Sequence, residues 1–94
     1  MELGQIVYSI KGRDAGNYFL VVGIKDKYVY ICNGKLRSVD NPKKKNICHV
    51  KVVNKISIQA QVKIYNNTLD NNYVKKVLEE YMNTKESISE TKEV

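Results

Sequence analysis

Apolar positions follow two rhythms along this chain. From Leu3 to Val53 they come in short runs, many with a period of two, broken by glycine, asparagine and charged residues, as in strands joined by tight connections. From Leu69 to Met82 they recur every three to four positions, as on one face of a helix. The first strand is predicted over residues 3–10, with Leu3, Gln5, Val7 and Ser9 on one face and Ile6, Tyr8 and Ile10 on the other. The second, residues 18–25, is so densely apolar that both its faces should be covered, and Gly23 within it marks a bulge or bend. Asp26-Lys27 is a tight turn into a third strand, Tyr28 to Cys32. Asn33-Gly34 carries the type I′ hairpin signal, because both central residues of that turn need positive φ. It predicts a fourth strand over Lys35-Leu36-Arg37-Ser38-Val39. Residues 40–46, with the only proline and three lysines, read as a loop, and Ile47 to Val53 as the fifth strand. About five short strands with frequent turns make the expected class mainly β, a small antiparallel barrel followed by a C-terminal helical segment.

The helical part is anchored by Leu69, Tyr73, Val77 and Tyr81, with Val74, Leu78 and Met82 beside them. Asp70 is placed to cap its first turn, and Lys75-Lys76 and Glu79-Glu80 set opposite charges four apart. Residues 56–65 fit two patterns. Strict alternation of Ile56, Ile58, Ala60, Val62 and Ile64 argues for a strand, whereas Ile58, Val62, Tyr65 and Leu69 fit a helical face that Ser57 would cap. The pattern alone favours the strand. The chain thus divides into a barrel over residues 1–54, an extension over 55–83 that ends in the amphipathic helix, and a flexible tail over 84–94.

Composition adds a partner class. A chain of 94 residues is one small domain, and sixteen Lys and Arg against ten Asp and Glu give a net charge of +6. Such a balance favours polyanions, nucleic acid first. No apolar run is long enough for a transmembrane helix, and the N-terminus lacks the basic and apolar regions of a signal peptide. The expected setting is cytoplasmic, with no membrane partner. Cys32 and Cys48 are then expected as reduced, buried strand residues. With His49 they offer three ligands and no Cys-x-x-Cys pair, too few for a zinc site. Neighbouring strand residues face opposite ways, so Cys48 and His49 cannot form a nucleophile–base pair. Gly12-Arg13-Asp14-Ala15-Gly16 is no phosphate-cradling P-loop, since it lacks the lysine and the following helix. No enzyme, cofactor or small-molecule substrate is expected.

The basic residues carry the candidate chemistry. Lys11 and Arg13 lie in the first loop, Lys35 and Arg37 on one face of the expected fourth strand, Lys43, Lys44 and Lys45 in the loop after Pro42, and Lys51 on the last strand. If the first loop and the lysine loop share a rim, these cations would track a phosphate backbone and binding would fall with salt. The competing reading is a solvated lysine loop guarding a sheet edge. Arg13 either holds a phosphate or stacks on an unpaired base, or pairs with Asp14. Asp14 is expected to order the loop by accepting backbone amides, with Gly12 and Gly16 as its structural glycines and Gly16 supplying positive φ. Tyr8, Tyr18, Tyr28 and Tyr30 are expected in cross-strand packing, with base stacking open to any that are exposed.

Residues 4–30 resemble the KOW motif. Gly4-Gln5-Ile6-Val7 leads in, Gly12-Arg13-Asp14-Ala15-Gly16 forms the loop with its hallmark glycine, and Tyr18-Phe19-Leu20-Val21-Val22 follows. With Gly34-Lys35-Leu36-Arg37, Pro42-Lys43-Lys44-Lys45 and Cys48-His49-Val50, the chain resembles bacterial KOW-domain RNA-binding proteins. That group is similar to large-subunit ribosomal proteins of the L-fourteen-e type. The resemblance implies an SH3-like barrel that binds ribosomal RNA or the ribosome, without catalysis or cofactor. It matches Lys11, Arg13 and Asp14 to an RNA-facing loop, and Lys35, Arg37 and Lys43 to Lys45 to a second basic stretch. It also tips residues 57–65 toward a short helix. The alternative function is a protein-interaction module of this fold in a transcription or translation complex.

Overall fold

The densest apolar run of the chain, Tyr18 to Val22, becomes the middle of a sheet. In the computed structural model, which describes the backbone of residues 1–93 and the side chains of residues 1–84, five strands precede two helices. The strands are β1 (Gln5–Ser9), β2 (Tyr18–Lys25), β3 (Tyr28–Cys32), β4 (Lys43–Asn46) and β5 (Val50–Ile56), with a 3-10 turn at Ile47–His49 before β5. The helices are α1 (Ile58–Tyr65) and α2 (Asn71–Glu93). Every neighbouring pair is antiparallel, in the order β4-β3-β2-β1-β5. β4 and β5 form the two edges and do not pair, so the sheet is not closed and the expected barrel closure is absent from its hydrogen bonding.

The alternation along β1, β2 and β3 sends apolar side chains to both sides. Ile6, Leu20 and Cys32 face the helices and pack with Ala60, Val74 and Leu78. Val7, Phe19, Val21, Val29, Ile31 and Val50 form a second cluster on the other side, with Leu3 at its margin. Among the described residues no helix side chain joins this second cluster, yet Val7, Phe19, Val21, Val29 and Ile31 are fully buried. The strands themselves must curl over it. Two irregularities assist the curl. Val22 is an extra residue in β2 opposite β3, next to Gly23, as the sequence predicts. β5 bulges opposite β1 between Gln5 and Val7, and the buried Gln5 amide donates to the carbonyls of Val53 (2.5 Å) and Lys55 (2.9 Å). A buried amide thereby satisfies carbonyls that the bulge takes out of the ladder.

Three expectations are corrected. Residues 35–39 are not a strand. Asn33 Oδ1 accepts the amides of Lys35 (3.0 Å) and Arg37 (3.1 Å), and the amides of Asn33 and Gly34 both donate to the Arg37 carbonyl. This closes a local loop in place of a hairpin. Gly34 does have positive φ (79°), and α2 leaves no room for a side chain there: a Cβ would lie 2.5 Å from the Asn71 carbonyl oxygen. The fourth strand is instead Lys43–Asn46, the segment expected as a lysine loop. Residues 47–49 form the 3-10 turn, so Cys48 and His49 leave the strand, and Cys48 is exposed.

Residues 58–65 are helical, the outcome implied by the resemblance and not by the alternation. Ser57 Oγ accepts the Ala60 amide (3.1 Å) as its N-cap, and Gln61 donates to the Leu3 carbonyl (2.8 Å). Ala60 is fully buried, whereas Ile58, Val62 and Tyr65 point to solvent. α2 starts where the sequence places it: Asp70 Oδ1 accepts the Tyr73 amide at 2.8 Å. Its backbone is helical to Glu93, across most of the span expected as a tail, while the side chains of that span lie outside the described residues.

Candidate nucleic-acid interface

The β1–β2 loop is shaped by its two glycines, Gly12 (φ 87°) and Gly16 (φ 92°), in the left-handed region that L side chains disfavour. The Gly16 amide donates to Ser9 (2.9 Å) and the Ser9 amide to Asn17 (3.0 Å), which ties the loop's two arms. Asp14 then turns inward. The sequence-based expectation that its carboxylate accepts backbone amides is corrected: its partners among the described residues are side chains. Its Oδ1 accepts from Ser9 Oγ (2.7 Å) and from Lys45 Nζ, and Lys43 Nζ lies 3.1 Å from Oδ2. The alternation along β4 explains why both lysines arrive there. Lys43 and Lys45 pair with Ile31 and Val29, whose side chains fill the inner cluster, so these two point inward and Lys44 points away.

Asp14 and Lys45 are buried, at 9% and 6% exposure. Burial alone pushes the Asp14 carboxyl up. The contacts from Lys45, Ser9 and Lys43, with the charge of Lys45, outweigh it and hold the pKa at about 2. Lys45 Nζ also donates to the Lys11 carbonyl oxygen at 2.5 Å. The ammonium therefore grips the loop twice, by a side chain and by its backbone.

This arrangement divides the sequence-predicted cations. Lys11 and Arg13 are exposed on the gripped loop. No ion pair links Arg13 to Asp14 among the described residues, because the lysines occupy the carboxylate. Lys45 is buried and neutralised, and Lys43 is engaged beside it, so neither is the free rim cation that the sequence predicts. Lys44 is exposed, its ammonium 4.3 Å from the centre of the Tyr28 ring. Lys51 is exposed on β5 opposite Tyr8. Lys35 and Arg37 lie in the 33–42 loop on the helix side of the sheet, not on a strand with one shared face. Tyr8 and Tyr18 pack together (5.0 Å between centroids), and Tyr18 meets Tyr81 edge-on at 5.4 Å.

A longer-range pattern reinforces the charge. Between Asp40 and Asp70 the sequence holds six lysines (Lys43, Lys44, Lys45, Lys51, Lys55 and Lys63) and no acidic residue. The stretch supplies β4, β5 and α1. Sequence reasoning missed Ser9 as a ligand of Asp14; its inward position in β1 was the available signal. It also missed Lys75, which lines one groove with Lys35, and no local pattern points to that. Burial pushes the Cys32 thiol up to about 12, which makes it an inert core residue. Among the described residues no cluster of His, Cys, Asp and Glu could hold a metal ion, and no helix is long and apolar enough to cross a membrane. No known family model and no curated protein matches the chain. Fold and site define a small, basic, mainly β module with two helices and a rigidly held cationic loop.

Proposed function

We propose that this chain is an RNA-binding module with an SH3-like KOW architecture, acting on ribosomal RNA or at the ribosome, in the cytoplasm and without catalysis. One observation carries the reading. The single acidic residue of the β1–β2 loop is turned inward and neutralised by two inward-pointing lysines, which leaves Lys11 and Arg13 displayed on a loop that need not be ordered on binding. Preorganisation of this kind lowers the entropic cost of association. Lys44, Lys51 and the acid-free stretch around them extend the field that attracts a phosphate backbone.

The test is titration of a structured ribosomal RNA fragment across a range of salt. Replacing Lys11 and Arg13 together with Ala should weaken binding and lower the salt slope by about 2, one for each phosphate that is no longer neutralised. An unchanged slope would remove the loop from the interface. Sedimentation with ribosomal subunits tests the ribosomal part separately.

A second reading, a protein-interaction module, is favoured by α1. Ile58, Val62 and Tyr65 stand 65%, 52% and 75% exposed in one row. Recovery of one partner protein that survives ribonuclease treatment, and is abolished when this row is made polar, would favour it over the first.

A further inference from the structure

We infer that the groove between the β1–β2 loop, the 33–42 loop and α2 takes one unpaired RNA nucleotide, with the phosphate at Lys35 and Lys75 and the base along the helix. The inference rests on the RNA-binding reading and gives that module a preference it would otherwise lack. The groove encloses about 220 Å³. That is smaller than the few hundred cubic ångströms of a typical drug-sized pocket, and suits a single flat group.

Its helical wall is ordered. Lys75, Leu78, Glu79 and Met82 line it, at positions i, i+3, i+4 and i+7 of α2, so they form one stripe about 10 Å long. Lys35 joins at the Lys75 end. The Lys75 stem packs against Gly34, close enough that a Cβ on Gly34 would sit 2.9 Å from Lys75 Cγ. Lys35, which follows Gly34 in the chain, and Lys75 thus line the same groove from separate elements. Neither has an ion-pair partner among the described residues.

Beyond Lys75, Leu78 and Met82 give the helical wall its apolar part. Leu78 is 6% exposed and forms a floor, whereas Met82 is 42% exposed on the rim, an apolar side chain that the core does not use. A base lying on these groups would cover Met82. Glu79 interrupts the apolar stripe with a carboxylate. A second phosphate is repelled there, but a carboxylate accepts hydrogen bonds from an exocyclic amino group, such as cytosine N4. Uracil has no amino group. Duplex RNA cannot place a base in the groove, because its bases are stacked and paired. The predicted ligand is therefore single-stranded RNA, with an amino-bearing base preferred over uracil.

The experiment measures anisotropy of labelled oligocytidylate, oligouridylate and a short RNA duplex with the full chain at low salt. The parent should bind oligocytidylate roughly tenfold more tightly than oligouridylate. The Lys35→Ala/Lys75→Ala variant should bind oligocytidylate roughly tenfold more weakly and change duplex affinity by less than about twofold. Glu79→Gln, at an exposed position and with folding checked by circular dichroism, should shrink the cytidine-to-uridine ratio. If the parent binds none of the three probes, the RNA-binding reading falls and this inference with it. If the duplex binds and depends on Lys11 and Arg13, RNA binding stands. In that case equal affinity for the two oligonucleotides, an equal loss on every probe for the lysine variant, or an unchanged ratio for Glu79→Gln overturns the groove alone.

Discussion

The two sides of the sheet solve the same burial problem differently. On one side Ile6, Leu20 and Cys32 are covered by α1 and α2, so apolar side chains meet apolar side chains from elements far away in sequence. On the other, Val7, Phe19, Val21, Val29, Ile31 and Val50 pack with no helix side chain among the described residues. The curl of the strands covers them, and the polar assembly of Ser9, Asp14, Lys43 and Lys45 stands where the inner face meets the β1–β2 loop. This face is finished with charge. The contrast shows how a small fold can put ionic groups to structural use on the same loop that displays its free cations.

The largest effect should come from the ionic side. Asp14→Ala leaves the buried Lys45 ammonium without its carboxylate, and removing one partner of a buried pair costs about 3–5 kcal/mol. Equilibrium denaturation measures this, and adding Lys45→Met should restore part of the loss. A cost under about 1 kcal/mol would mean that the cluster is ornamental and that the two sides differ only in shape. On the helical side, Leu78→Ala should cost about 2 kcal/mol, the low end for a leucine truncation because the residue lies near the rim of its cluster. That loss should be the same at every pH.

Acid separates the sides further. The Asp14 pKa is lowered from 3.8 to about 2 in the folded chain. A depressed folded-state pKa gives stability that is fully present above the unfolded value and is lost as pH falls through the folded one. The contribution is about 2 kcal/mol, complete above about pH 4 and gone below about pH 2. Denaturation midpoints taken through that window should drop in the parent, with Asp14→Ala flattening this part of the curve and Leu78→Ala leaving it unchanged. An equal drop in parent and Asp14→Ala would assign the acid sensitivity elsewhere.

The helical side was largely legible in the sequence and the ionic side was not. β2 and β3 announce themselves through apolar density, and α2 through its period and the Asp70 cap. α1 was legible only in part. The alternation of Ile56 to Ile64 imitates a strand, but it does not sort buried from exposed positions: Ala60 is buried while Ile58 and Val62 face solvent. β4 could not be read as a strand from residue type, because Lys43-Lys44-Lys45-Asn46 contains no apolar residue. It is a strand because its inward lysines meet Asp14, a partner that no local window contains. The Asn33-Gly34 signal gave the right conformation for Gly34 and the wrong structure, since the turn belongs to a local loop closed by Asn33 and not to a hairpin. Lys11 and Arg13 are legible from the loop alone, while the roles of Lys43, Lys45 and Asp14 depend on pairing across the sheet.

The grip of Lys45 on the β1–β2 loop has a consequence for the order in which the molecule assembles. Asp14 and Lys45 are 31 residues apart, and Lys45 reaches the loop only after β2, β3 and β4 have found their register. Closing so long a segment costs chain entropy before its contacts form. The lock is therefore expected to close late on the folding route. Asp14→Ala should accordingly speed unfolding and leave the refolding rate nearly unchanged, a φ-value close to zero in a stopped-flow chevron. A slowed refolding limb would instead put the lock in the nucleus. On the late-closing route, the cationic loop is among the last parts of the chain to become rigid and among the first to be released.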